Sequence, residues 1–183
     1  MNMTPGNTPL DFGAYRNKME AHFKKMATIF SEGELDEQGI PSYTHSNRLM
    51  AWLFWKKNHI AMDYLHALAP IDKVLDFGCG AGPLFMFCEA YANQTLAFDV
   101  NLKPAQFTLA NFPFKKIRLL ENQDELESLP DASFDMIIAL EVLEHVDDLQ
   151  STGKLFYRLL KPGGRIIVSG PTESYYYRLG RWA

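Results

Sequence analysis

At 183 residues, 47% apolar and 22% charged, the chain is long enough for one domain with a real core and has an ordinary globular composition. A formal charge of -4, with the lysine pairs at 24–25, 56–57 and 115–116 isolated from one another, excludes the basic surface that grips nucleic acid. Cys79 and Cys88 form neither a zinc spacing nor a disulfide framework, which suits a reducing compartment.

The N-terminal stretch "MNMTPGNTPLDFGAYR" has no apolar signal region and no small-residue cleavage site. The longest unbroken apolar run, "LMAWLFW" at 49–55, is far short of the roughly 20 residues that span a bilayer. A cytoplasmic location is expected. From Asp11 to Phe30, the apolar residues Tyr15, Met19, Phe23, Met26 and Phe30 recur at three- and four-residue steps and predict a helix, with Asp11 as N-cap and Gly33 as its stop. The acidic stretch "SEGELDEQGIP" reads as a loop before a second helix over about 46–68. That helix has two apolar stripes, one of Leu49, Leu53, Phe54, Ala61, Tyr64, Leu65 and Leu68, the other of Trp52, Trp55, His59, Met62 and His66. Packing on both sides is the expected explanation, since aromatics at helical spacing mostly fill cores. The functional alternative makes the Trp and His stripe a substrate lid or an anchor on a lipid surface; nothing else in the sequence supports membrane contact.

From Lys73 onward, short apolar runs alternate with helical segments. The expected strands are 73–78, 95–100, 115–121, 134–141 and 164–170, with helices near 83–92, 103–111 and 147–160 and a turn at "LKPGGR", 160–165. This alternation predicts an α/β fold: a Rossmann-like, open, mostly parallel sheet with helices on both faces and an N-terminal helical extension. Residues 1–70 form the extension or lid, and 71–183 the α/β domain. Ligands of such sheets bind beyond the carboxyl ends of the strands.

The first of those ends reads "VLDFGCGAG", residues 74–82. Its glycines, Gly78, Gly80 and Gly82, are spaced G-x-G-x-G rather than the G-x-G-x-x-G of a dinucleotide loop. Pro83 removes an amide donor, and Asp76 adds a negative charge beside the loop, so a diphosphate is disfavoured. A nucleoside bearing a cationic amine fits better. S-adenosylmethionine has an ammonium that Asp76 can neutralise and no phosphate. Asp99, at the end of the second expected strand, is where an acidic side chain takes ribose hydroxyls.

Four segments in order, "VLDFGCGAG", "LAFDVN", "SLPDASFDMIIALEVLEHVDD" and "LLKPGGRIIVSGP", resemble those of a class I S-adenosylmethionine-dependent methyltransferase of the small-molecule group that includes the ubiquinone and menaquinone methyltransferases. The resemblance runs from about Lys73 to Pro171. It implies S-adenosylmethionine as cofactor, with Asp76, Gly78, Cys79, Gly80 and Gly82 at its methionine half and Asp99 and Val100 at its ribose. It further implies Asn122 or Gln123 over the adenine, although "ENQDELESLPD" stands where many relatives have an Asp-Ala pair. Leu140 and Glu141 then lie beside the methyl group. Cys79 is expected to be a small packing residue rather than a nucleophile.

Methyl transfer from a sulfonium rests mainly on alignment, and a base is needed only for a protonated acceptor. "EVLEHV" offers Glu141, Glu144 and His145, of which Glu141 and His145 are assigned the catalytic role. Some ubiquinone-pathway O-methyltransferases hold a divalent metal with a Glu-x-x-Glu-His pattern that these three match. This segment offers fewer oxygen ligands than a hard cation takes, so no metal is assigned.

The complete family fold has seven strands. Only thirteen residues follow Gly170, "PTESYYYRLGRWA", too few for the final two strands. The fifth strand would then be a bare edge, and truncation, a partner or second copy, or the N-terminal helices are the candidate explanations. Tyr175, Tyr176 and Tyr177 are candidate pocket-lining or packing residues. The expected function is transfer of a methyl group from S-adenosylmethionine to an oxygen, carbon or nitrogen of a small, apolar acceptor. Rivals are a catalytically silent cofactor-binding subunit that needs a partner and, more remotely, a nicotinamide oxidoreductase.

Overall fold

The computed structural model describes residues 10–37 and 39–170. The tyrosine run at 175–177 and the C-terminal "YYYRLGRW" lie outside the described residues.

Helix α1 (Phe12–Met26) starts where predicted, because the Asp11 carboxylate accepts from the amides of Gly13 and Ala14 and caps the first turn. It stops at Met26, short of the expected end. The amides of Thr28 and Ile29 bond three residues back, to the carbonyls of Lys25 and Met26, and tighten the chain into turns. Gly33 is not the stop: it sits inside a short helix, α2 (Glu32–Glu37), so the acidic segment is partly helical. A single turn, α3 (Ile40–Tyr43), leads to α4 (Arg48–Leu68), capped by the Asn47 side chain.

Only one face of α4 is fully buried. It carries Ala51, Trp55, Asn58, Met62 and Leu65, alternating steps of four and three. This face mixes members of the two expected stripes. Leu49, Trp52, Leu53 and Tyr64 remain exposed among the described residues, so packing on both sides is not what the fold uses. Trp55 anchors the face: its ring meets those of Tyr15, Phe23 and Tyr43, and its indole N–H donates to the Tyr43 carbonyl at 3.1 Å.

The sheet comprises β1 (Ile71–Phe77), β2 (Ala92–Phe98), β3 (Ile117–Leu119), β4 (Phe134–Leu140) and β5 (Leu160–Ser169) in the order β3-β2-β1-β4-β5, every pair parallel. The connecting helices are α5 (Phe85–Tyr91), α6 (Lys103–Asn111) and α8 (Leu149–Leu159), all near their expected positions. A five-residue helix, α7 (Gln123–Glu127), was not expected. The segment read as a turn at 160–165 belongs to β5: pairing jumps from Phe134↔Leu160 to Met136↔Arg165, and Gly163 takes φ +81° to absorb the extra residues.

Strand alternation divides the core. Val74, Met136 and Ile138 face α1, α4 and α5; Leu75, Ile137 and Ala139 face α8. The sheet therefore carries helices on both faces, and α1, α3 and α4 are part of one of them. β5 is an edge among the described residues, with Ile166 and Val168 exposed.

Candidate functional site

Beyond β1 the chain turns one way to β2 and β3 and the other way to β4 and β5, so the carboxyl ends of β1 and β4 border the crevice where strand order reverses. Asp76 stands on β1 at that end. It has the same parity as Val74, so its side chain faces the N-terminal helices.

Asp76 is 3% exposed, and its Oδ2 has no hydrogen-bond partner. Burial, followed by the nearby Asp99 charge, raises its pKa from 3.8 to about 7. A buried carboxylate oxygen left without a donor is complementary to a cation.

The glycine loop follows. Its amides are already engaged: those of Gly78 and Cys79 donate to the Phe98 carbonyl at 2.8 and 3.0 Å, that of Gly80 to Asp99 Oδ2 at 2.8 Å, and that of Gly82 to the Cys79 carbonyl at 2.9 Å. A diphosphate would find these four donors spent, as the loop spacing implies. Gly78 must be glycine on two counts. It has φ +73°, and a Cβ there would lie 2.4 Å from Val142 Cγ2.

Asp99 follows β2 directly. Its second oxygen accepts from the Asn101 amide at 3.0 Å, which fixes the carboxylate plane beside the loop. Val100 is 96% exposed. Cys79 is buried against Phe85, Ala97 and Ala105, and burial, with Asp76 and Asp99 adding, pushes its thiol well above the ordinary range. A thiol held protonated there packs rather than attacks.

Asn122 and Gln123 lie after β3 and are both exposed. Asn122 caps α7 by accepting from the Glu125 amide at 2.9 Å, and Gln123 donates to Glu127 at 2.8 Å. Leu140 ends β4, half-buried. Glu141 takes φ +53°, unusual for a residue with a side chain; its amide donates to the Ser169 carbonyl at 3.1 Å and its Oε1 accepts from Ser169 Oγ at 2.7 Å. Those two bonds to the end of β5 hold the strained backbone. Glu144 and His145 lie on an exposed 3-10 turn, Leu143–His145. Among the described residues, no three His, Cys, Asp or Glu side chains gather as a metal centre would need.

The N-terminal helices bring further groups to this crevice. The Tyr43 hydroxyl, raised in pKa by burial, is near enough to the Glu141 and Asp76 charges that both add to the effect. The Asn58 amide lies beside it. Lys57 Nζ sits 4.5 Å from the Phe54 ring centroid and 5.6 Å from that of Tyr43; burial lowers its pKa, opposed by Glu141 and Glu144. The Tyr15 hydroxyl donates to the Pro83 carbonyl and ties α1 to the glycine loop. A second tie runs through α6: His22 Nε2 lies 2.9 Å from Thr108 Oγ1, which donates to the Ala81 carbonyl at 2.7 Å. Since the threonine proton goes to the carbonyl, Nε2 must be the protonated nitrogen. None of Tyr15, Lys57, Asn58 or Tyr43 stands out in a motif. The available signal for Asn58 is one polar residue in an otherwise apolar helix face.

The family described as "Methyltransferase domain" matches residues 75–168, from β1 to β5. Among curated proteins, phosphoethanolamine N-methyltransferase 1 of Zea mays is 33% identical over 58% of this chain and 22% of its own length. The ubiquinone biosynthesis O-methyltransferase of Xylella fastidiosa is 30% identical over 84% of this chain and 60% of its own. The chain thus spans less than two thirds of either relative. Among solved structures, the YcgJ protein from Bacillus subtilis superposes with a TM-score of 0.55 at 22% identity, covering 62% of this chain and 49% of that one. The [4+2]-cyclase SpnF superposes at 0.53 with 22% identity, over 62% of this chain and 44% of its own. Likeness at this identity fixes the fold, and a cyclase among the neighbours illustrates that the fold alone does not fix the reaction.

Proposed function

Because the chain belongs to the methyltransferase domain family matched over residues 75–168, we propose that it transfers a methyl group from S-adenosylmethionine to a small-molecule acceptor. The observation that carries the cofactor reading is Asp76: a buried carboxylate oxygen without a donor, at the sheet's switch point, suits the ligand's ammonium. Gly78, Gly80 and Gly82 let the backbone come close to the methionine half, and Asp99 takes the ribose hydroxyls. Asn122 or Gln123 would cover the adenine after giving up a local contact on α7.

The bound cofactor supplies a methyl group already activated by its sulfonium. The chain's part is to hold the acceptor in line, exclude water and receive a proton where the acceptor carries one. Glu141 and His145 are the candidates for that proton. The strained backbone of Glu141, pinned by Ser169, favours it as the group with a fixed direction. The relatives' names include nitrogen and oxygen methylation, and the acceptor atom proposed is an oxygen, nitrogen or carbon. Phe54, partly buried beside Tyr43 and Lys57, favours an apolar acceptor body. Both cysteines are buried and unpaired, in keeping with a cytoplasmic setting; none of the described helices is long and apolar enough to cross a membrane.

The test is formation of S-adenosylhomocysteine from methyl-labelled S-adenosylmethionine across a panel of phenols, quinols and amines. Acceptor-dependent product supports the transferase. Cofactor binding without turnover on any acceptor favours the silent-subunit reading instead, and a partner that covers the β5 edge becomes the next object of search.

A further inference from the structure

Asn58 is fully buried, and neither its Oδ1 nor its Nδ2 has a hydrogen-bond partner. Such an arrangement is rare, because a buried amide without partners weakens the fold. Its position gives the reason. Asn58 lies on the buried face of α4 between Trp55 and Met62, and its amide comes near enough to the Tyr43 hydroxyl to oppose the rise in that phenol's pKa, though not in good hydrogen-bond geometry; the charges of Glu141 and Asp76 reach the same hydroxyl. Two groups short of partners therefore flank the Tyr43 hydroxyl: a carboxylate oxygen from β1, and from α4 an amide that keeps its acceptor and, with one N–H turned to Tyr43, a second N–H donor.

A carboxylate alone suits any cation. The combination is more selective. An α-amino acid carries an ammonium and a carboxylate on one carbon, and it needs an anion for the first and a donor for the second. Resting on the cofactor reading above, we infer that Asn58 binds the amino-acid end of the cofactor, its Nδ2 donating to the ligand carboxylate while Asp76 takes the ammonium. Asn58 lies outside the matched segment 75–168. The N-terminal helices are then part of the cofactor site and not only a lid for the acceptor. The Asn58 Oδ1 is free to accept from the same ammonium or from Tyr43.

The experiment compares the wild-type chain with Asn58→Leu, a change of similar volume that removes both polar atoms. Two ligands are titrated: S-adenosylhomocysteine, and 5′-methylthioadenosine, which has the nucleoside and sulfur but no amino-acid end. The expected result is at least tenfold weaker binding of S-adenosylhomocysteine with methylthioadenosine unchanged, while the ligand-free variant melts at a higher temperature than wild type. A loss below tenfold, or an equal loss of both ligands, overturns the inference. Should N58L fail to fold, N58A carries the same two-ligand comparison. A wild-type chain that binds neither ligand overturns the cofactor reading and this inference together; one that binds both, with the variant unaffected, overturns only the role of Asn58.

Discussion

The amide of Gly80 donates to the Asp99 carboxylate at 2.8 Å, so the glycine loop after β1 and the acidic end of β2 hold one another in place before any ligand arrives. The same carboxylate is the proposed ribose ligand. Its direction is set in advance, which lowers the ordering cost of binding.

Asp99→Ala removes both that acceptor and the ribose contact. A hydrogen bond to a charged group is worth about 1.5–3 kcal/mol, so S-adenosylhomocysteine binding should weaken roughly 10- to 100-fold by calorimetry. Asp99→Asn, which keeps an oxygen for the Gly80 amide, should fall between. An alanine variant that binds as tightly as wild type removes Asp99 from the ribose.

Asp76 makes binding and stability depend on pH in opposite senses. Its pKa is raised from 3.8 to about 7 by folding, so between those values the folded chain binds more protons than the unfolded chain. Its contribution to ligand-free stability is therefore complete below the lower value and is lost as pH rises towards 7. The ammonium needs the ionised form, so ligand affinity should fall about tenfold per pH unit well below 7 and level off above it. Asp76→Asn should flatten both profiles, raise the ligand-free melting temperature at pH 8 and weaken the ligand at least tenfold. Melting curves from pH 5 to 8, with and without S-adenosylhomocysteine, measure all of this.

The chain from His22 through Thr108 to the Ala81 carbonyl couples α1 to the glycine loop. Thr108→Val strands a buried N–H and a carbonyl and should cost about 1–3 kcal/mol in urea unfolding, whereas Thr108→Ser should cost much less. His22 runs against Asp76. Burial, with Lys25 adding, lowers its pKa from 6.5 to about 4, so its contribution to stability is present at neutral pH and is lost as pH falls through that interval. His22→Gln should reduce the acid sensitivity between those values.

At Gly78, alanine meets Val142 and must also adopt φ +73°. The expected cost is about 1–3 kcal/mol. A Cβ at 78 would lie 2.6 Å from Val142 Cβ as well, so adding Val142→Gly, not Val142→Ala, should recover the part due to the clash and leave the part due to the backbone, and a double-mutant cycle separates the two.

The parts of this fold legible in the sequence are those where one local rule decides. Runs rich in Val, Ile and Leu placed all five strands, and the Asp11 cap placed the start of α1. Asp76 and Asp99 were legible because they follow apolar strands and flank a glycine loop. The α1 end and the fate of Gly33 were not, since apolar spacing continues to Phe30 while the backbone tightens at Met26. The 160–165 segment reads as a turn from its proline and glycines, yet β4 holds it in the sheet through a bulge. Asn58 and Tyr43 lay hidden because their meaning depends on α3 and α4 packing over the end of β1, a long-range arrangement that no local spacing encodes. His145 was legible as a motif member, but its exposure on a 3-10 turn comes only with the fold.

On the proposed reading, the glycine loop and its two aspartates form an S-adenosylmethionine site. Calorimetric titration of the chain at pH 8 with S-adenosylmethionine, S-adenosylhomocysteine and NADH tests it most directly. Saturable binding of both adenosyl ligands and none of NADH is the expected result. Binding of NADH, or a folded chain that takes up neither adenosyl ligand, would contradict it.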